Sequence, residues 1–469
     1  MHDQKARRFF RQGWPLLLLL ALFFLLPYST PVPTAKQALQ TFSMYHRAGF
    51  LSLWDGVLAF VLGVLLLRQL QAGQLRFALG PPAGVWALLA ILTAAFCLGL
   101  LHVQGTPAGY GPTEARRAVI AFLPAVYLGL VYLVTRNYLI TPAQALHALR
   151  WLRGFTLLLL GYGVLRLGLI LTGRIDTMRP FGLPIVLYDQ MTMLYPLLFA
   201  VPAWHLLSRH DNTAAGKPGR SEWLAWALAV FFILISARRF NYLLLAAGLL
   251  LVLAAGPLLR WWPVRRSLHF AFAALAGMAA LTLLLAVTAP RLLSGVQQAV
   301  QSLDMTSDFG LRHGGSIRRA EIRNLFANME RRPYSFLIGM GLGTKWQEIV
   351  EQPLDSFSYP KSYLASSRGW FPQFHLPYLA QLYRFGMLGC AVLLLWLVLY
   401  TRFLGRRLRQ LAAPQTRAFA LGLLLFLILH VPNLGDSANP TAAILAGLSM
   451  AVLERLPQAS SAAPGDSGV

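Results

Sequence analysis

Apolar residues in this chain come in runs of about twenty, with neither the alternation of a strand nor the one-sided stripe of a soluble helix. Twelve runs can be delimited, with cores near 14–28, 50–67, 82–103, 117–135, 154–173, 184–207, 222–236, 241–256, 268–288, 385–403, 418–433 and 440–454. A run of roughly 20 residues is what an α-helix needs to cross the hydrocarbon core of a bilayer. Lipid offers no partner to an unpaired amide, so such runs should be helical. The pattern predicts an all-α integral membrane protein of about 12 transmembrane helices. The seventh and eighth runs are short enough to form a helical hairpin.

One long polar segment interrupts this pattern. Residues 1–288 carry the first nine spans, 289–384 form a large loop between the ninth and tenth, and 385–455 carry the last three. Residues 456–469, with Pro464, Gly465 and several serines, read as a disordered tail. Neither a soluble-type repeat nor a duplication of six spans is visible. Within the loop, Ser316 to Glu330 places Ile322, Leu325, Phe326 and Met329 on one helical face, with Arg319, Arg323 and Glu330 off it. Arg331, Arg332 and Pro333 stop that helix. The string Gly339-Met340-Gly341-Leu342-Gly343 reads as a flexible turn, and residues 344–374 mix aromatic with polar residues as an interfacial loop would.

Composition agrees with the pattern. At 469 residues, 57% hydrophobic and 12% charged, the chain is too apolar for a soluble protein of its size. Charge sets the orientation: with the N-terminus inside, short inner segments hold 21 Lys and Arg and short outer loops hold 8. Both termini are expected inside and the large loop outside. The net charge of +24 then belongs mainly to the rim facing anionic lipid, and no soluble basic domain is available to hold nucleic acid. Basic Lys5 to Arg11 ahead of an apolar run resemble a secretory signal, but eleven further spans favour a retained first helix. Cys97 and Cys390 both lie in spans, which excludes a disulfide framework for the loop.

The candidate chemistry is basic. Arg238 and Arg239 fall at the outer tip of a tight connection, against the positive-inside bias; Arg318 and Arg319 begin the amphipathic helix, and Arg116, Arg117, Arg174 and Arg179 lie in other outer segments. Guanidinium forks match phosphate oxygens in pairs, so this surface suits a phosphate-rich ligand. Topological anchoring is the plainer role for the Arg238–Arg239 pair. Arg166 lies within the fifth span and needs a partner there, either a carboxylate such as Asp189 or Asp55 or a ligand phosphate. His375 sits where the loop re-enters the membrane and can accept a proton near neutral pH. His313 is a competing base, and His46, His102 and His430 also lie near the outer face. No metal site is expected, because neither HExxH spacing nor an Asp-rich diphosphate motif occurs, and no cofactor is implied. The glycine string lacks a Rossmann context, so a tight turn or close backbone approach is the expected role.

Three segments together resemble the O-antigen ligase and O-antigen polymerase superfamily of bacterial envelope glycosyltransferases. Ser236-Ala237-Arg238-Arg239 is similar to its Ser-Arg motif between earlier helices, with either arginine eligible. Arg319-Ala320-Glu321-Ile322, Pro333 and the Gly339–Gly343 string resemble its loop pattern. His375, with Leu379, Leu382, Gly386 and Gly389, is similar to its closing motif. Two positions depart: Leu376 stands where the family often has Asn, and Arg384 where it often has an acidic residue. The resemblance covers roughly residues 225–400.

That resemblance implies glycosyl transfer on the periplasmic side of a bacterial inner membrane. The donor would be a glycan on undecaprenyl diphosphate and the acceptor a sugar hydroxyl, for a ligase that of lipid A–core. Arg238, Arg239 and Arg318 would bind the diphosphate, while Arg319 and His375 would act in catalysis, with inversion and without metal. A polymerase of the same fold is the nearest alternative, and a lipid-linked sugar transporter a more distant one.

Overall fold

The computed structural model describes residues 47–48, 51–71, 77–104, 112–139, 141–175, 179–187, 189–208, 217–236, 239–304, 316–350, 370–371, 376–411, 413–431 and 440–456, with isolated positions elsewhere. Most of the first expected span, Arg238, His46, His313, His375 and the 457–469 tail lie outside the described residues.

Helices dominate. In chain order they are α1 (Leu53–Gln71), α2 (Ala87–Gln104), α3 (Pro112–Tyr138), α4 (Pro142–Leu171), α5 (Tyr195–Ser208), α6 (Arg220–Ile235), α7 (Arg239–Leu258), α8 (Val264–Thr288), α9 (Pro290–Gln301), α10 (Ser316–Glu330), α11 (Tyr334–Ile338), α12 (Pro377–Arg409), α13 (Pro414–His430) and α14 (Pro440–Arg455). A π-turn at Pro82–Trp86 leads into α2, and a 3-10 stretch at Asp189–Leu194 leads into α5. Two-residue strands pair antiparallel, β1 (Arg47–Ala48) with β2 (Leu51–Ser52) and β3 (Trp346–Gln347) with β4 (Trp370–Phe371). Prolines open several helices because the first turn has no use for their missing N–H. At α4 a Thr141–Gln144 capping box completes the start.

Eight helical segments are long and apolar enough to cross a membrane among the described residues. They involve α1, α2, α3, α4, α5, α7, α8 and α12. Helices α6, α13 and α14 fall on three further expected cores but run only 16, 17 and 16 residues. This is an all-α, multi-pass membrane protein. Its surface agrees: along α8, Phe272, Leu283 and Val287 are 68%, 71% and 84% exposed. In water such a face would be an aggregation patch; lipid covers it.

Inside the bundle, Tyr127, Tyr132, Tyr195, Phe199, Phe232 and Phe426 are fully buried. Backbones approach closely where side chains vanish, as at Gly422 of α13 against the Pro196 carbonyl and Gly447 of α14 against that of Leu128. One polar node pins the end of the bundle that the charge pattern assigns to the inside. Glu454 of α14 is 4% exposed and accepts from Tyr132 Oη (2.6 Å), Tyr400 Oη (2.8 Å) and the Arg136 guanidinium (2.7 Å). Arg407 donates to the Glu454 carbonyl, so α3, α12 and α14 share one carboxyl-terminal knot.

Removing one partner of a buried pair strands the others without an acceptor. Glu454→Ala should therefore lower stability by about 3–5 kcal/mol, whereas Glu454→Gln keeps an acceptor and should lose less. Thermal unfolding of the purified proteins in one detergent measures both; an Ala variant melting with the parent protein would remove the node's structural role.

Candidate functional site

The opposite end of the bundle carries the large loop, and its attachment starts from a break in a helix. Gly386 in α12 has φ 63° and ψ −176°, a backbone state open to glycine and closed to most L-residues. The break leaves the carbonyls of Tyr383 and Arg384 without their usual partners four residues on. The glycine string supplies them: Met340 N donates to Tyr383 O (2.7 Å) and Gly341 N to Arg384 O (2.8 Å). Leu342 N then donates to Ala95 O of α2 (2.9 Å). Gly99 of α2 and Gly341 touch backbone to backbone, so a Cβ on either would collide with main-chain atoms. Residues 339–343 are thus a docked segment and not the flexible turn their composition suggests, and the close-approach reading holds.

Around this stitch the loop builds its own small core. Leu325 and Met329 of α10 pack with Met340, Trp346 and Tyr383, all nearly inaccessible. The expected amphipathic helix is present with the expected limits, although Phe326 remains 37% exposed because Phe336 covers only one side of it. Asn324 accepts from Val350 N (2.6 Å) and donates to Val350 O (2.8 Å). Asn328 pairs likewise with the Gln347 backbone at 2.9 and 2.7 Å, and Tyr383 Oη donates to Lys345 O at 3.0 Å. The loop core therefore includes a residue of α12 itself.

The Ser-Arg turn reaches the same end. Phe240, next to Arg239, lies against Tyr378, with ring centroids 5.9 Å apart. Tyr378 Oη donates to Leu429 O of α13 (3.3 Å). Beneath the turn, Ser236 Oγ donates to Ile233 O (2.6 Å), Tyr195 Oη to Asn241 O (3.4 Å), and Asn241 Nδ2 to Met191 Sδ (3.2 Å). The described flanks of the Arg238–Arg239 turn and of His375 are thus in contact. Arg238 and His375 themselves, and the side chain of Arg239, lie outside the described residues.

Arg318 and Arg319 are both described and differ. Arg319 is exposed. Arg318 is half-buried on the α10 face that carries Glu321; burial pushes its guanidinium pKa down and the Glu321 carboxylate opposes the shift. A guanidinium remains charged through such a change. Arg166 is 6% exposed, and its Nε has no hydrogen-bond partner among the described residues. Asp55 instead accepts from Tyr127 Oη (2.6 Å).

Two other histidines have structural roles. His102 contacts Met340 O at 2.9 Å and Tyr334 Oη at 3.0 Å and stacks on Tyr334, buttressing the stitch. His430 is buried against Phe426 and Tyr195, with Nδ1 3.1 Å from Phe426 O. Gln381 was not singled out by sequence pattern. It is 3% exposed on α12, and neither amide atom has a partner among the described residues. An unpaired buried amide near the re-entry point is suited to a polar ligand. Sequence offered only its place one turn from Tyr378.

Comparison with known proteins finds no match to a protein-family model, to a curated sequence or to a solved structure.

The stitch makes a graded prediction. Gly99→Ala and Gly341→Ala should each lower the melting temperature and expose the loop to protease, because the added Cβ meets backbone. Gly154→Ala in α4, with open space around it, should be neutral or stabilising by up to ~1 kcal/mol. Equal melting of all three variants would sink the stitch as the anchor of the loop.

Proposed function

We propose that this chain is a membrane glycosyltransferase of the O-antigen ligase type, with about twelve spans and its active site at the looped end. It moves a glycan from undecaprenyl diphosphate to a sugar hydroxyl such as that of lipid A–core. The carrying observation is convergence. The three segments that resemble the family meet at one end of the bundle, through Phe240 on Tyr378 and through Met340 and Gly341 on the α12 carbonyls. That end faces the periplasm of a bacterial inner membrane if basic residues mark the cytoplasmic side.

In this reading the acceptor oxygen attacks the anomeric carbon from the face opposite the diphosphate. The carbon–oxygen bond to phosphate breaks, its electron pair leaves with the diphosphate, and the configuration inverts. His375 takes the hydroxyl proton, a contribution typically worth about 100- to 10,000-fold. Arg238, Arg239 and Arg318 hold the diphosphate, and Arg319 meets the charge that grows on it. Fixed donors of this kind are each worth roughly 2.7–4 kcal/mol elsewhere. A polymerase extending the glycan on its carrier would use the same arrangement.

Purified protein given the lipid-linked donor and an acceptor should form product in the presence of EDTA. His375→Ala and Arg319→Ala should each reduce turnover at least about 100-fold, with expression and melting temperature unchanged. Full turnover in both variants, or strict dependence on added divalent cation, would overturn the mechanism. Deletion of the gene separates the two enzymes: a ligase leaves lipid A–core bare, a polymerase leaves it capped with one repeat.

A further inference from the structure

At the end opposite the loop, α12 carries a second feature that the glycosyltransferase reading does not use. Arg402, Arg406 and Arg409 stand at i, i+4 and i+7 on one exposed face of the helix. None of them makes an ion pair or hydrogen bond among the described residues. Arg407, on the other face, is turned inward to the Glu454 carbonyl. The three guanidiniums border an open groove of about 630 Å³ whose upper wall is Leu394, Leu397 and Val398. From Leu394 to Arg409 the helix rises about 22 Å. Apolar lining fills one half of that length and cations the other, matching the depth profile of a single leaflet, with about 15 Å of hydrocarbon beneath the headgroups.

The groove owes its floor to Gly405. A Cβ there would sit 3.6 Å from Leu259 Cδ2, an ordinary contact, so the position has room for a side chain and carries none. Three positive groups at headgroup depth above an apolar trough complement one phosphate with its attached chain.

We propose that this groove binds an anionic phospholipid, its phosphate held by Arg402, Arg406 and Arg409 and one acyl chain lying along Leu394, Leu397 and Val398. The site is independent of the chemistry at the other end of the bundle. It would tie the α12–α13 region to acidic lipid and steady the helix whose upper part anchors the loop.

The test uses the full-length protein in phosphatidylcholine nanodiscs, with bound lipid read by native mass spectrometry and stability by thermal unfolding. Phosphatidylglycerol should bind roughly tenfold or more tightly than phosphatidylcholine and raise the melting temperature. The R402Q/R406Q/R409Q variant should lose that preference. Gly405→Leu should displace the lipid by filling the groove. Equal binding of the two lipids by the parent protein, or a preference surviving in the triple variant, overturns the proposal. So does equal stabilisation by inorganic phosphate, which would indicate an anion site with no lipid chain. If the triple variant fails to fold, the parent protein's lipid preference and the Gly405→Leu displacement still decide.

Discussion

An amide buried away from water must find a partner, and one place in this protein meets that demand across three segments far apart in sequence. The turn of backbone lost at Gly386 exposes two carbonyls, and the glycine string of the loop satisfies them before passing on to Ala95 of α2. Each link requires the others. Without Gly386 there is no free carbonyl, and without Gly99 and Gly341 the strands of backbone cannot come within hydrogen-bonding distance. The loop core of Leu325, Met329, Trp346 and Tyr383 is then built on an α12 already fixed in place.

Both ends of the bundle bury polar groups, and at both some atoms lack a partner among the described residues, as Arg136 Nε and Arg407 Nε do beside Glu454. At the arginine-rich end Glu454 is saturated by two tyrosines and a guanidinium, which makes it a fastener. At the looped end, Gln381 and Arg166 are buried with polar atoms unmatched among the described residues. Leaving buried groups unpaired is costly, and it persists where a ligand or water completes the set. The looped end carries in addition a buried amide, Gln381, with neither atom paired among the described residues, one turn from Tyr378, which packs on the Phe240 flank of the Ser-Arg turn.

Local physics made much of this legible in the residues. A run of twenty apolar side chains favours a helix in lipid, so most described helices fall on expected cores and α10 keeps its expected limits at Ser316 and Glu330; the 184–207 run departs, being α-helical only over Tyr195–Ser208 after a 3-10 stretch at Asp189–Leu194. Arg136, Arg407 and Glu454 meet at one end of the bundle, a contact among α3, α12 and α14 that no local pattern announces. His102 and His430 could not be told from catalytic histidines in this way. Their roles depend on Tyr334, Met340 and Tyr195, partners up to 238 residues away.

What the chain determined by itself is therefore whatever a side chain's own transfer free energy and its near neighbours can impose: which stretches are helical and apolar enough to lie in lipid, and which of their ends are basic. Tertiary structure alone decided why the glycines are needed, which arginine of the Arg318–Arg319 pair is sheltered, and that the Arg402 face borders an apolar groove. Those outcomes hang on the distance between backbones that meet only after folding, and no residue carries that distance within its own neighbourhood.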